Sequence, residues 1–161
     1  DQKQVGGALM NLDWLRKSGS ITTEEREHIS VIHAPVQEIG HHISGSVFDT
    51  IVTEGYLGKP LKGHESPQFL ERNQADVTKL WKEALPILSS LQPIGGRIVC
   101  TWPIMMSQNS PYYVELTDEE LLAAGYKRIH PLKAWSNDEK PIVYRRADQH
   151  VHRQLIVLEK V

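Results

Sequence analysis

The sequence predicts an α/β fold, with a mostly parallel sheet, helices on both faces and an antiparallel edge at the carboxyl end. Three observations carry that expectation. Short β-branched runs at residues 29–32, 47–52 and 97–102 alternate with helical patterns at 4–17 and from Ser66 onward. A capping-box pattern at Thr117, Asp118, Glu119 and Glu120 announces one more helix late in the chain. Three strand-like pieces then follow in close succession, too near one another for crossover helices.

Taken in order, residues 4–17 bring Val5, Ala8, Leu9, Leu12 and Leu15 to helical spacing, and Gly19 stops the helix. Thr22 and Thr23 cap a helical turn over 24–28. Residues 29–32 read as a first strand and 47–52 as a second, joined by a polar, glycine-containing loop or short helix at 37–46. Beyond Tyr56, Gly58, Pro60 and Gly63 punctuate a loop. Ser66 and Pro67 open a long helix with the right cap and first-turn residues. Its apolar face is Leu70, Val77, Leu80, Trp81 and Leu88, and Pro86 is expected to kink or divide it. A turn at 93–96 launches strand 97–102, whose apolar middle suits burial. Gly125 ends the helix that Thr117 caps. The closing strands fall at 126–130, 142–144 and 154–158, with connectors at Asn137, Asp138 and 147–149.

The 161 residues fit one domain, and 40% hydrophobic with 24% charged residues is an ordinary globular balance. No apolar run approaches the ~18 residues needed to span a bilayer, and no basic-then-apolar leader opens the chain. No membrane association is expected. The single cysteine, Cys100, excludes a disulfide framework and fits a reducing, cytoplasmic setting. No metal is expected: adjacent His41 and His42 point in different directions and have no evident third ligand.

The net charge of −2 argues against a globally basic nucleic-acid binder. Its distribution is uneven, however. Residues 127–153 carry Lys127, Arg128, Lys133, Lys140, Arg145, Arg146 and Arg153 against Asp138, Glu139 and Asp148. That segment is +4 and leaves −6 for the remainder. It suits either a phosphate backbone or a solvated pair of strands.

Ligands of open α/β sheets bind beyond the carboxyl ends of the strands. Three strand ends are therefore candidates: Asp1 (if a strand precedes it), His33 with Ala34, and Thr53, Glu54, Gly55 and Tyr56. The run Val52, Thr53, Glu54, Gly55, Tyr56, Leu57, Gly58 resembles the strand-end motif of an RNA methylase family that includes tRNA guanine-N2 methyltransferases. The family's usual form is Asp/Asn-Pro-Pro-Tyr, and its Thr-Glu-Pro-Tyr-Leu-Gly variant lies closer still. Asp1 and the helix ending at 11–15 resemble the family's ribose-binding segment. Residues 91–99, with Pro93, Gly95, Gly96 and Arg97, resemble the approach to its fifth strand, and 142–151 with 153–160 resemble its tail. The Gly-Gly-Arg element alone is common; the ordered set carries the resemblance.

The resemblance implies a partial Rossmann-like methyltransferase fold, S-adenosylmethionine as cofactor, and RNA, specifically tRNA, as partner. It implies that Thr53, Glu54, Gly55 and Tyr56 form the catalytic turn, with Glu54 and neighbouring carbonyls holding an exocyclic amine and Tyr56 stacking on the base. Asp1 would hold the cofactor's ribose, His33 and Ala34 would meet its adenine, and Arg145, Arg146 and Arg153 would contact phosphates. Trp102 and Pro103, just past the strand, wall a pocket or simply pack. Two departures stand out: Gly55 replaces a proline, and His33 stands where the family often has aspartate. No glycine-rich loop precedes Asp1, so the sequence reads as the carboxyl-terminal portion of a catalytic domain, or as a circular rearrangement of one. Either way, the 161 residues alone are expected to bind cofactor poorly. A DNA amino-methyltransferase and a non-catalytic methyltransferase-like binding module remain alternatives.

Overall fold

The computed structural model describes all residues except 1, 44, 46, 108, 109 and 133–139. The chain divides into two compact units, Asp1–Ser44 and Gly45–Val161.

In the first unit, α1 (Gln2–Lys17) and α2 (Thr23–Glu27) are followed by a 3-10 turn (Val36–Glu38) and α3 (Ile39–His42). Along α1, Val5, Ala8, Leu12 and Leu15 are half-buried whereas Leu9 is exposed, so the apolar stripe is narrower than its spacing suggested. Thr22 and Glu25 close a reciprocal capping box that starts α2. The expected strand at 29–32 is not one: these residues form no ladder among the described residues. β-Branched side chains favour an extended backbone, but a strand needs a neighbour to take its N–H and C=O groups.

The second unit is an α/β layer around a six-stranded sheet. Its strands are β1 (Thr50–Thr53), β2 (Arg97–Met106), β3 (Pro111–Tyr113), β4 (Tyr126–Ile129), β5 (Val143–Tyr144) and β6 (Val151–Lys160). The order is β1-β2-β6-β4, with β3 beside β2 and β5 beside β6. β1 runs parallel to β2, and the pairings of β2 with β3 and of β6 with β2, β4 and β5 are antiparallel. The expected antiparallel carboxyl-terminal edge is thus present, and parallel pairing is confined to the start. β3 was not legible beforehand, and β2 and β6 are each longer than their apolar stretches. Their register runs unbroken from Arg97↔Glu159 to Met105↔Val151.

Two helices line this sheet, α4 (Pro67–Ser90) and α5 (Asp118–Ala123). Ser66 caps α4 by accepting from Phe69 N–H, and Pro67 sits in the first turn, where its missing donor costs nothing. Pro86 lies inside α4 without ending it. The carbonyl it deprives is that of Lys82, an exposed residue that water can serve. Leu70, Val77, Trp81 and Leu85 of α4 and Leu121 of α5 close over Ile98, Cys100 and Trp102 of β2 and Ile156 and Leu158 of β6. Strand alternation places those β2 residues on one face of the sheet, with Thr101 and Val99 on the other.

Candidate functional site

β2 is flanked on one edge by β1 at residues 97–100 and by β3 at 104–106. Between them, Thr101, Trp102 and Pro103 have no strand on that edge among the described residues. Pro103, which has no N–H to give, sits in the opening where no ladder bond is required of it. The chain leaves β1 into this gap, so residues 53–56 emerge at the carboxyl end of the parallel pair.

Four contacts fix the turn. Thr53 Oγ1 accepts from Gly55 N–H at 3.1 Å. Thr101 Oγ1 donates to the Glu54 carbonyl at 3.0 Å. Arg153 Nε lies 2.5 Å from Glu54 Oε1. Gly55 rests on the indole of Trp81, so close that a Cβ would stand 2.7 Å from Cζ2. Its φ of +71° is open to glycine and closed to proline, whose ring holds φ near −65°. The residue that departs from the family motif is therefore the one this backbone requires.

Downstream, buried Asn73 of α4 grips the loop. Its Oδ1 accepts from Lys59 N–H at 2.7 Å and its Nδ2 donates to the Lys59 carbonyl at 3.2 Å. A Cβ added at Gly58, whose φ is +90°, would stand 2.7 Å from that Oδ1. Tyr56, between the two anchors, is 46% exposed, so its ring is available for stacking.

The basic residues lie on the β5–β6 hairpin. Arg145 and Arg146 are exposed in the turn after β5. Arg146 Nε donates to the Tyr144 hydroxyl at 2.6 Å, and its guanidinium lies 5.6 Å from that ring's centroid. Tyr144 is the register partner of Arg153 and shares its sheet face. Arg153 also donates through Nη1 to Gln149 Oε1 at 3.2 Å. Thus Glu54 and Arg153, which the resemblance assigns to a substrate amine and to phosphate, are bonded to each other.

His33 and Ala34 belong to the first unit, in the extended segment before Pro35. His33 is exposed and Ala34 half-buried. Asp1 lies outside the described residues, as do the connector at Asn137 and Asp138 and the cation Lys133. A cleft of about 230 Å³ opens at the start of α4, lined by Gly63, His64, Glu65, Leu70 and Met106. No group of three or more His, Cys, Asp or Glu able to hold a metal occurs among the described residues. No helix there is long and apolar enough to cross a membrane. Burial pushes the Cys100 thiol up to about 12, which leaves it protonated and unreactive at neutral pH.

Trp81, Thr101, Asn73 and Gln149 hold the site together and were invisible as site residues beforehand. Trp81 read only as a helix-face residue. Thr101 gave no signal, because nothing local says which strand edge will stay open.

Several solved structures are similar to the chain. It is 17% identical to TrmN from Thermus thermophilus with a TM-score of 0.49, over 100% of this chain and 34% of that one. It is 17% identical to a 1,6-didemethyltoxoflavin-N1-methyltransferase from Burkholderia thailandensis, solved with 1,6-didemethyltoxoflavin and S-adenosylhomocysteine. That match has a TM-score of 0.44 and covers 81% of this chain and 50% of the other. It is 16% identical to a candidate rRNA methylase from Clostridium thermocellum with a TM-score of 0.47, over 100% of this chain and 72% of that one. With TM-scores below 0.5, these likenesses carry no functional weight. No family model and no curated protein matches the chain.

Proposed function

We propose that this chain is part of an S-adenosylmethionine-dependent methyltransferase acting on an exocyclic amine of a nucleobase, guanine N2 in tRNA. The observation that carries the reading is the turn at residues 53–56. It leaves a parallel strand pair at its carboxyl end, in a gap of the sheet, with carbonyl and carboxylate oxygens gathered beside an exposed aromatic ring.

The cofactor supplies a methyl group on a positively charged sulfur, and every other requirement falls on the protein. The amine must be held in line with that methyl, its N–H groups must find acceptors, and the base must be steadied. Positioning of this kind lowers barriers by several kcal/mol, about 7 or more in favourable intramolecular cases. Here the Glu54 carboxylate, the second lone pair of the Glu54 carbonyl and the Gly55 carbonyl are the acceptors. Tyr56 is the stacking surface. Thr53 and Thr101 fix the backbone that presents them. His33, Ala34 and Asp1 are assigned to the adenosine part of the cofactor, and Arg145, Arg146 and Arg153 to substrate phosphates.

The test is methyl transfer from labelled cofactor to bulk tRNA by the native polypeptide carrying this sequence, alongside its Glu54→Ala and Tyr56→Ala variants. Each variant should lower kcat/KM by about tenfold or more, in line with the loss of one positioned acceptor or stacking face. An inert native polypeptide, or two variants indistinguishable from it, would remove the assignment.

A further inference from the structure

We infer that Arg153 holds the Glu54 carboxylate in reserve, and that a nucleic-acid phosphate, by taking Arg153, releases that carboxylate to the substrate amine. The inference rests on the methyl-transfer reading above and adds a substrate-dependent control to the same turn.

Arg153 Nε and Glu54 Oε1 are 2.5 Å apart, so the charge meant for phosphate and the charge meant for the amine cancel in the free chain. Their side chains are 24% and 57% exposed. At that exposure a lone ion pair adds little net stability, so exchanging one anion for another on Arg153 is nearly free of cost. Phosphate is a competent rival because a guanidinium presents five N–H donors in a fork that fits it, and the bonds described here use only Nε and Nη1. Gln149 Oε1, bonded to Nη1, keeps the guanidinium in place whichever anion occupies the other edge.

The surroundings favour a strand of nucleic acid. Tyr144, 51% exposed, is the register partner of Arg153 on the same sheet face, and Arg146 stacks over its ring. An aromatic face beside two arginines is the usual composition of a surface that tracks a single strand. A phosphate taking the Nε-bearing edge through both its donors would displace the Glu54 carboxylate from it, with Gln149 still holding Nη1, as the neighbouring base reaches Tyr56. The carboxylate would therefore turn to the amine only when a strand is in place.

The test is binding, read apart from catalysis. Fluorescence anisotropy of a labelled single-stranded oligouridylate of about 12 nucleotides is followed with the native polypeptide at low salt. Glu54→Gln removes the rival anion and should tighten binding, about three- to tenfold, the size of a surface charge pair. Arg153→Gln should weaken it. In the Arg153→Gln background, Glu54→Gln should change nothing. If Arg153→Gln does not fold, Arg153→Lys takes its place and should reduce the coupling, because its ammonium lacks the second edge. Equal tightening in both backgrounds means a general charge effect and overturns the inference, as does weaker or unchanged binding by Glu54→Gln. Absence of binding by the native polypeptide overturns it as well. Loss of coupling with methyl transfer intact rejects this inference alone. Coupling with no methyl transfer to any tRNA rejects the assigned reaction.

Discussion

Gly55 shows what one residue can decide. A proline at this position stiffens the family motif, and Gly55 departs from it. The backbone at φ +71° and the Trp81 ring beneath it make proline the impossible residue here. Gly55→Ala should cost about 1–3 kcal/mol, combining left-handed strain with the Trp81 contact. Gly55→Pro should cost more, and should abolish methyl transfer rather than improve it. Urea midpoints and kcat/KM of both variants check this. A Gly55→Pro variant as stable and as active as the parent would show that the turn has a different shape. The motif itself was legible, because Thr53, Glu54 and Tyr56 are local in sequence. The turn's partners, Thr101, Trp81 and Arg153, lie 26 to 99 positions away, and no short pattern could name them.

At the scale of elements, sequence periodicity performed best where an element makes its own case. The long helix after Ser66 was legible from its cap and apolar spacing, and α5 from its capping box. Ladders were harder, since a strand exists only with a neighbour: residues 29–32 have the composition and lack the partner, whereas β3 has a partner and opens on proline. Within α4, Asn73 interrupts an apolar face and is 1% exposed, which a face pattern reads as an error. The interruption is what ties the helix to the site, through both polar groups of Lys59. Asn73→Ala should therefore cost about 1–2 kcal/mol, since it removes both hydrogen bonds to the Lys59 main chain. Hydrogen exchange at the Lys59 amide should also accelerate well beyond the change in global stability. If the Lys59 amide exchanges no faster than the core of α4, the loop is held by something else.

For the second unit as a whole, stability is coupled to pH through its buried core. Cys100 sits at the centre of the sheet under Trp81, and burial pushes its thiol up to about 12 from an ordinary 9.0, although Arg128 pulls the other way. Burial also raises the Tyr126 hydroxyl, which donates to Gln92 at 2.7 Å. For both groups the folded pKa exceeds the unfolded one. Below about pH 9 both forms of the chain keep the thiol proton, and the full contribution is present. Between 9 and 12 the unfolded chain sheds that proton while the folded one retains it. Stability must therefore fall as pH rises through that window, by up to about 1.4 kcal/mol per unit for the thiol alone. Cys100→Ala cannot titrate. It should start about 1 kcal/mol less stable at neutral pH, from the lost sulfur volume, and then decline less steeply. The difference between the two urea midpoints should thus narrow as pH rises from about 8 to 11. Tyr126→Phe should flatten the same limb from a slightly higher pH, because phenols lose their proton later than thiols. Parallel curves for parent and Cys100→Ala would mean that water reaches the thiol, and that the sheet under Trp81 is less tightly closed than its packing shows.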